Sequence, residues 1–175
     1  MNFFDTVLDL IDMRSFSSLW FWIVLAWVWT RATFRVLGVP IDILAEAERG
    51  DPHAVDDVDG LGEMAARRLV ARHAAMSLWE LAALAFVFTV LVLLAWLYRI
   101  ELAQALVCLA VPLAVVHWLT LRSARRVVAA AQQGETLRRT ISALRLRIQA
   151  VAVVAIFVTT LYGMQQNLSI RPFGG

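Results

Sequence analysis

Arg31, Glu80, His117 and Gln149 stand out chemically because each interrupts or flanks a long apolar run. Ionisable groups in such runs usually face a bundle interior or water, and often pair. An Arg31–Glu80 pair with His117 beside it would form an intramembrane polar cluster, with Gln149 at similar depth. It could hold a lipid headgroup, pass a proton or tie helices together. The plainer alternative is that each side chain snorkels to its own interface, since all four lie near the ends of the runs. His117 has the imidazole of an axial haem ligand, but a second histidine at matching depth is required. His73 precedes the second run and His53 lies in an acidic loop, so no haem pair is expected. Asp57-Val58-Asp59-Gly60 has part of a calcium-loop pattern. With Gly60 at the sixth position, Val55 and Ala66 fall where acids are required, and the pattern fails. Cys108 is a lone thiol in an apolar run and reads as a packing residue. One cysteine leaves no disulfide framework and no self-contained zinc or iron–sulfur site.

The four tryptophans Trp20, Trp22, Trp27 and Trp29 lie in the first apolar run. Trp20 and Trp27 are seven residues apart and share one helical face; Trp22 and Trp29 share another, nearly opposite. Trp20 and Trp22 suit an interfacial belt, whereas Trp27 is too deep for one. Aromatic stripes on two sides would let one helix pack against its own bundle and a foreign partner together. Lipid-facing bulk is the simpler alternative. Ala110 and Ala114, four apart, permit close helix packing.

These residues need elements to position them, and composition says which. The chain has 175 residues, 61% apolar and 17% charged, with a mean hydropathy of +0.70. A soluble domain is about half apolar and about a quarter charged. A bilayer core of about 30 Å takes about 20 apolar helical residues. Four segments fit: residues 15–37, 77–99, 101–121 and 148–166. The second and third are joined so tightly that they form an antiparallel hairpin. The fold class expected is therefore all-α, an integral membrane protein with four transmembrane helices.

Orientation follows from arginine, which supplies all 16 basic residues. Arg31, Arg35, Arg49, Arg67, Arg68 and Arg72 fall between the first and second spans. Arg122, Arg125, Arg126, Arg138, Arg139, Arg145 and Arg147 fall between the third and fourth. The positive-inside rule places both connections in the cytoplasm and both termini in the periplasm. Residues 1–14 carry Asp5, Asp9 and Asp12 with apolar residues at helical spacing. They read as an amphipathic helix on the periplasmic surface rather than a signal peptide. Residues 167–175 form a periplasmic tail.

The connection at 38–76 is split by charge, acidic first and arginine-rich after Glu63. Residues 41–49 suggest a short helix, closed by Gly50 and Asp51-Pro52. A second helix is expected after Gly60, continuing unbroken into the next span. The connection at 122–147 reads as a basic helical hairpin, with Gly134 stopping its first helix. Val127, Val128 and Ala131 are placed to face Leu137, Ile141 and Leu144. Its seven arginines would fold against the acidic connection or rest on anionic phospholipid, each worth about 1 kcal/mol near the surface. They also satisfy the positive-inside signal with no further role.

Three segments carry a family resemblance: DTVLDLIDMRSFSSLW at 5–20, LGVPID at 37–42 and TLYGMQQNL at 160–168. They resemble small alphaproteobacterial inner-membrane proteins named as a component of the SufBCD complex, over most of the chain. The resemblance implies a link to iron–sulfur cluster assembly and assigns no site residues.

No phosphate-binding glycine loop, nucleophile elbow, HExxH, paired intramembrane acids or internal repeat is present. The basic residues sit at membrane edges, so nucleic acid is not an expected partner. The expectation is a non-catalytic accessory or assembly subunit of a larger bacterial inner-membrane complex, with other integral membrane proteins as partners and no cofactor. The alternative is a binder of lipid, quinone or haem that uses Arg31, Glu80 and His117.

Overall fold

A computed structural model describes residues 19–169, with side chains as far as Gln165. The surface helix expected at residues 1–14, and most of the tail at 167–175, lie outside these. The described chain is all-helical apart from one tight turn. Helix α1 spans Leu19–Phe34. A two-residue hairpin follows, β1 (Arg35–Val36) against β2 (Val39–Pro40). Helices α2 (Ile41–Glu48), α3 (Pro52–Ala74), α4 (Leu78–Trp96), α5 (Glu101–Ala129) and α6 (Gly134–Ser169) complete the order.

Helices α4, α5 and the Gly134–Gln165 stretch of α6 are long and apolar enough to cross a membrane, as in a multi-pass membrane protein. Helix α1 is apolar but 16 residues long as described. That is about 24 Å at 1.5 Å per residue. Helices α5 and α6 have 29 and 36 residues, about 44 and 54 Å. An apolar layer of about 30 Å cannot contain either, so both must project beyond it.

The projecting ends carry the main core. Val36, Val39, Leu44, Ala47, Val58, Ala66, Ala124, Val127, Leu137, Ile141, Leu144 and Ile148 are all buried in one cluster. The hairpin, α2, α3 and the ends of α5 and α6 build it together, so the charged connections fold as a packed unit. On α3 the buried positions are Ala54, Val58, Gly62 and Ala66. Their spacing of four makes a narrow stripe of small residues, which lets α3 approach α6 closely. A Cβ on Gly62 would lie 3.3 Å from both Ile141 Cδ1 and Leu137 Cδ2. Val127, Leu137, Ile141 and Leu144 are inside as their spacing predicts, whereas Val128 and Ala131 are exposed. Ala124 takes the inward place, one turn earlier on the same face.

Local signals explain most boundaries. The β1–β2 turn places Leu37 and Gly38 at φ 50° and 79°, the signs a tight two-residue hairpin requires. Gly38 is also pressed onto α3, where an added Cβ would come within 2.6 Å of Ala65 Cβ. Gly50, at φ 92°, follows the end of α2. Asp51 caps α3 by accepting the His53 N–H at 3.0 Å, with Pro52 in the first turn. So α3 begins at Pro52, eight residues before Gly60, and Gly60 lies inside it.

Two boundaries differ from expectation. Helix α3 does not continue into the next span: it ends at Ala74, and α4 restarts at Leu78. Ser77 and Glu80 form a capping box there, which satisfies amides that a continuous helix would have bonded internally. Gly134 does not stop α5, which ends at Ala129 with Ala131 at φ 44°. Instead Gly134 opens α6 and donates its N–H to both carboxylate oxygens of Asp59, at 2.9 Å each. Asp59 on α3 thus supplies a helix cap from a distant part of the chain.

Two smaller clusters lie within the apolar helices. Leu25 and Trp29 of α1 pack against Ala152 and Ala155 of α6. Ala95 of α4 packs with Ala103 and Val107 of α5, where the Gln104 side-chain amide donates to the Ala95 carbonyl at 2.9 Å. Helix α4 is held mainly at this end; residues 78–89 are all exposed.

Candidate functional site

The tryptophans of α1 divide between two environments. Trp29 is 4% exposed against α6, and Trp22 is partly buried beside it. The Trp22 ring meets Phe21 edge-on at 5.5 Å. Trp20 and Trp27 point away, 68% and 63% exposed. A stripe on each side of α1 therefore gives one inner face and one outer face. The Arg31 guanidinium lies over the outer Trp27 ring, 5.7 Å from its centre.

Among the described residues no hydrogen bond or ion pair links Arg31, Glu80, His117 and Gln149 to one another. Glu80 belongs to the α4 cap: its Oε2 accepts from Ser77 N at 2.7 Å and Ser77 Oγ at 3.1 Å. Arg31 is on Trp27, and no ion pair joins it to Glu80. Gln149 is half-buried on α6. His117 meets a different neighbour, His73, with ring centres 6.5 Å apart. In sequence His73 precedes the second apolar run and has no evident link to His117. Because Asp59 lies at the α5–α6 tip, α3 runs back along α5, and the fourteen steps from Asp59 to His73 cover about 21 Å.

The hairpin arginines also separate. Arg122, Arg125 and Arg126 line a groove of about 400 Å³ with Trp118, and the Arg122 guanidinium lies 5.4 Å from the Trp118 ring centre. Arg138 and Arg139 both bond Glu135, at 2.9 and 2.8 Å. The Arg139 hydrogen bond foremost, and then Arg138, hold the Glu135 carboxyl below its ordinary range. Arg138 also donates to the Ala47 carbonyl at 3.1 Å, and Ser142 bonds Glu48 at 2.9 Å. Arg145 is half-buried and Arg147 exposed. The acidic connection does fold onto the hairpin, but through Asp59, Glu48 and the Ala47 carbonyl. Among the described residues the ion pairs are local to one helix, Glu63–Arg67 and Glu135 with Arg138 and Arg139.

Two further cavities have no signal in the sequence. An apolar cleft of about 620 Å³ lies between α5 and α6, lined by Val107, Cys108, Pro112, Val151, Val154 and Tyr162 among others. A second space, of about 480 Å³, lies between the β1–β2 turn and α3, lined by Arg35, Arg68 and Arg72 together with Leu61, Met64 and Leu69. On α3, residues 61, 65, 68 and 72 recur at helical spacing and signal a shared face. Nothing local connects that face to Arg35.

Among the described residues no group of three or more histidine, cysteine, aspartate or glutamate side chains could hold a metal. Comparison with protein-family models, curated proteins and solved structures finds no match to this chain.

Proposed function

We propose that this protein is a non-catalytic accessory or assembly subunit of a larger bacterial inner-membrane complex, respiratory, photosynthetic or devoted to iron–sulfur biogenesis. In this reading the apolar run at 15–37 is a fourth span, both termini are periplasmic, and the packed arginine-rich unit is cytoplasmic. The hairpin arginines rest on anionic phospholipid beside it.

The supporting observation is how little of the apolar helices the chain covers itself. Residues 78–89 of α4 are exposed throughout, including Trp79 at 86% and Phe86 at 69%. Trp20 and Trp27 add a second open aromatic face on α1. Large aromatic side chains of this kind are favoured anchors in protein interfaces. The folded arginine-rich unit gives such a subunit a rigid base.

Purification from native membranes in mild detergent, followed by mass spectrometry, tests the reading. Stoichiometric co-elution of integral membrane proteins is expected. A monodisperse monomer with no co-eluting protein contradicts it.

A further inference from the structure

We infer that the groove bounded by Arg35, Arg68 and Arg72 binds the phosphate of an anionic phospholipid, with acyl chain lying in the adjoining cavity. The inference does not depend on the subunit reading, since a monomer could carry the same site.

Three arginines from two separate elements line one space, and no acidic residue lines it. Among the described residues none of the three makes an ion pair. Neighbouring Arg67, on the same helix, is by contrast paired to Glu63. Guanidinium forks match phosphate oxygens in pairs and are more weakly hydrated than ammonium. Three of them around one space therefore favour an anion with several oxygens.

The apolar side of the groove argues for a lipid rather than a free ion. Leu61, Met64 and Leu69 line the same space as the three arginines. A second cavity of about 250 Å³ shares Arg35, Leu37, Leu69 and Thr120 with the first. Its other lining residues include Leu113, Val116 and Ile148, with His117 as a polar member; these lie where α5 and α6 enter their apolar stretches. Arg35 directly follows α1, and Arg72 precedes α4 by six residues. The charges thus stand where apolar helices meet the polar layer, the depth of a headgroup. Gly38 gives the groove its shape by letting the turn approach Ala65.

Native mass spectrometry of the full-length protein in mild detergent tests the site, with phosphatidylglycerol, phosphatidylcholine and inorganic phosphate as probes. One retained phosphatidylglycerol is expected, with phosphatidylcholine held about tenfold less well and no displacement by excess inorganic phosphate. Removing Arg68 and Arg72 together (R68Q/R72Q) should cut retention about tenfold, while R49Q/R67Q, which removes equal charge elsewhere, should not. Equal retention in both double variants, or equal loss in both, overturns the site. Displacement by inorganic phosphate overturns the lipid assignment. If R68Q/R72Q does not fold, R68K/R72K keeps the charge without the fork and is expected to retain less lipid than wild type. Wild-type protein that retains phosphatidylcholine as well as phosphatidylglycerol overturns the proposal without any variant.

Discussion

The Asp59 carboxylate accepts the Gly134 N–H through both oxygens at 2.9 Å, joining residues 75 positions apart. One acidic side chain on α3 therefore fixes the tip of the α5–α6 hairpin. It supplies an acceptor for a helix-opening amide and a negative charge at the positive end of α6. Replacing Asp59 by Ala is expected to destabilise the fold by about 1–3 kcal/mol, as for other charge-assisted hydrogen bonds. Asp59→Asn, which keeps an acceptor, should cost less. Thermal unfolding in detergent, with hydrogen exchange at the hairpin tip, measures both.

Gly62 is expected to be intolerant of bulk. Gly62→Leu would drive a side chain into Leu137 and Ile141, which are fully buried. Overpacking of this kind costs about 1–3 kcal/mol. Gly60 lies on the same helix with nothing near its would-be Cβ, so Gly60→Leu should be tolerated. A comparison of melting temperatures separates the two.

Gly38→Ala meets two penalties together, a left-handed backbone at φ 79° and a 2.6 Å approach to Ala65 Cβ. The first alone costs about 1–2 kcal/mol. Loss of stability with displacement of the β1–β2 turn from α3 is expected, read by thermal unfolding in detergent and by hydrogen exchange in the turn.

Glu135 titrates below the ordinary carboxylate range because Arg139 and Arg138 bond its charged form. Its folded pKa is depressed, so the stability it contributes is present at neutral pH. That stability is lost as pH falls through the lowered folded value. Carboxyl-carbon NMR of labelled protein should show the low midpoint, moving upward in Arg139→Gln more than in Arg138→Gln. A midpoint unchanged by either substitution contradicts the pairing.

How much of this was legible in sequence depended on distance along the chain. The close of α2 at Gly50 and Asp51-Pro52 was readable, as was the buried row of Leu137, Ile141 and Leu144, because periodicity and breakers are local. The capping box at Ser77 and Glu80 is local too, but the same glutamate at the edge of an apolar run equally suits a membrane charge, so its type alone does not decide between the two. Other relationships had no local trace. Asp59 reaches Gly134, His73 reaches His117, and Arg35 joins Arg68 and Arg72 only because α3 folds back along α5. Tertiary packing decides that return, and no single segment encodes it.

The subunit reading is tested most directly where the open faces are. A photo-crosslinking amino acid at Leu84 on α4, and another at Trp27 on α1, would be activated in native membranes with the full-length protein. The account predicts discrete protein adducts from both positions, and none from buried Ile141. Lipid adducts alone from Leu84 and Trp27 would contradict it and leave those faces to the bilayer.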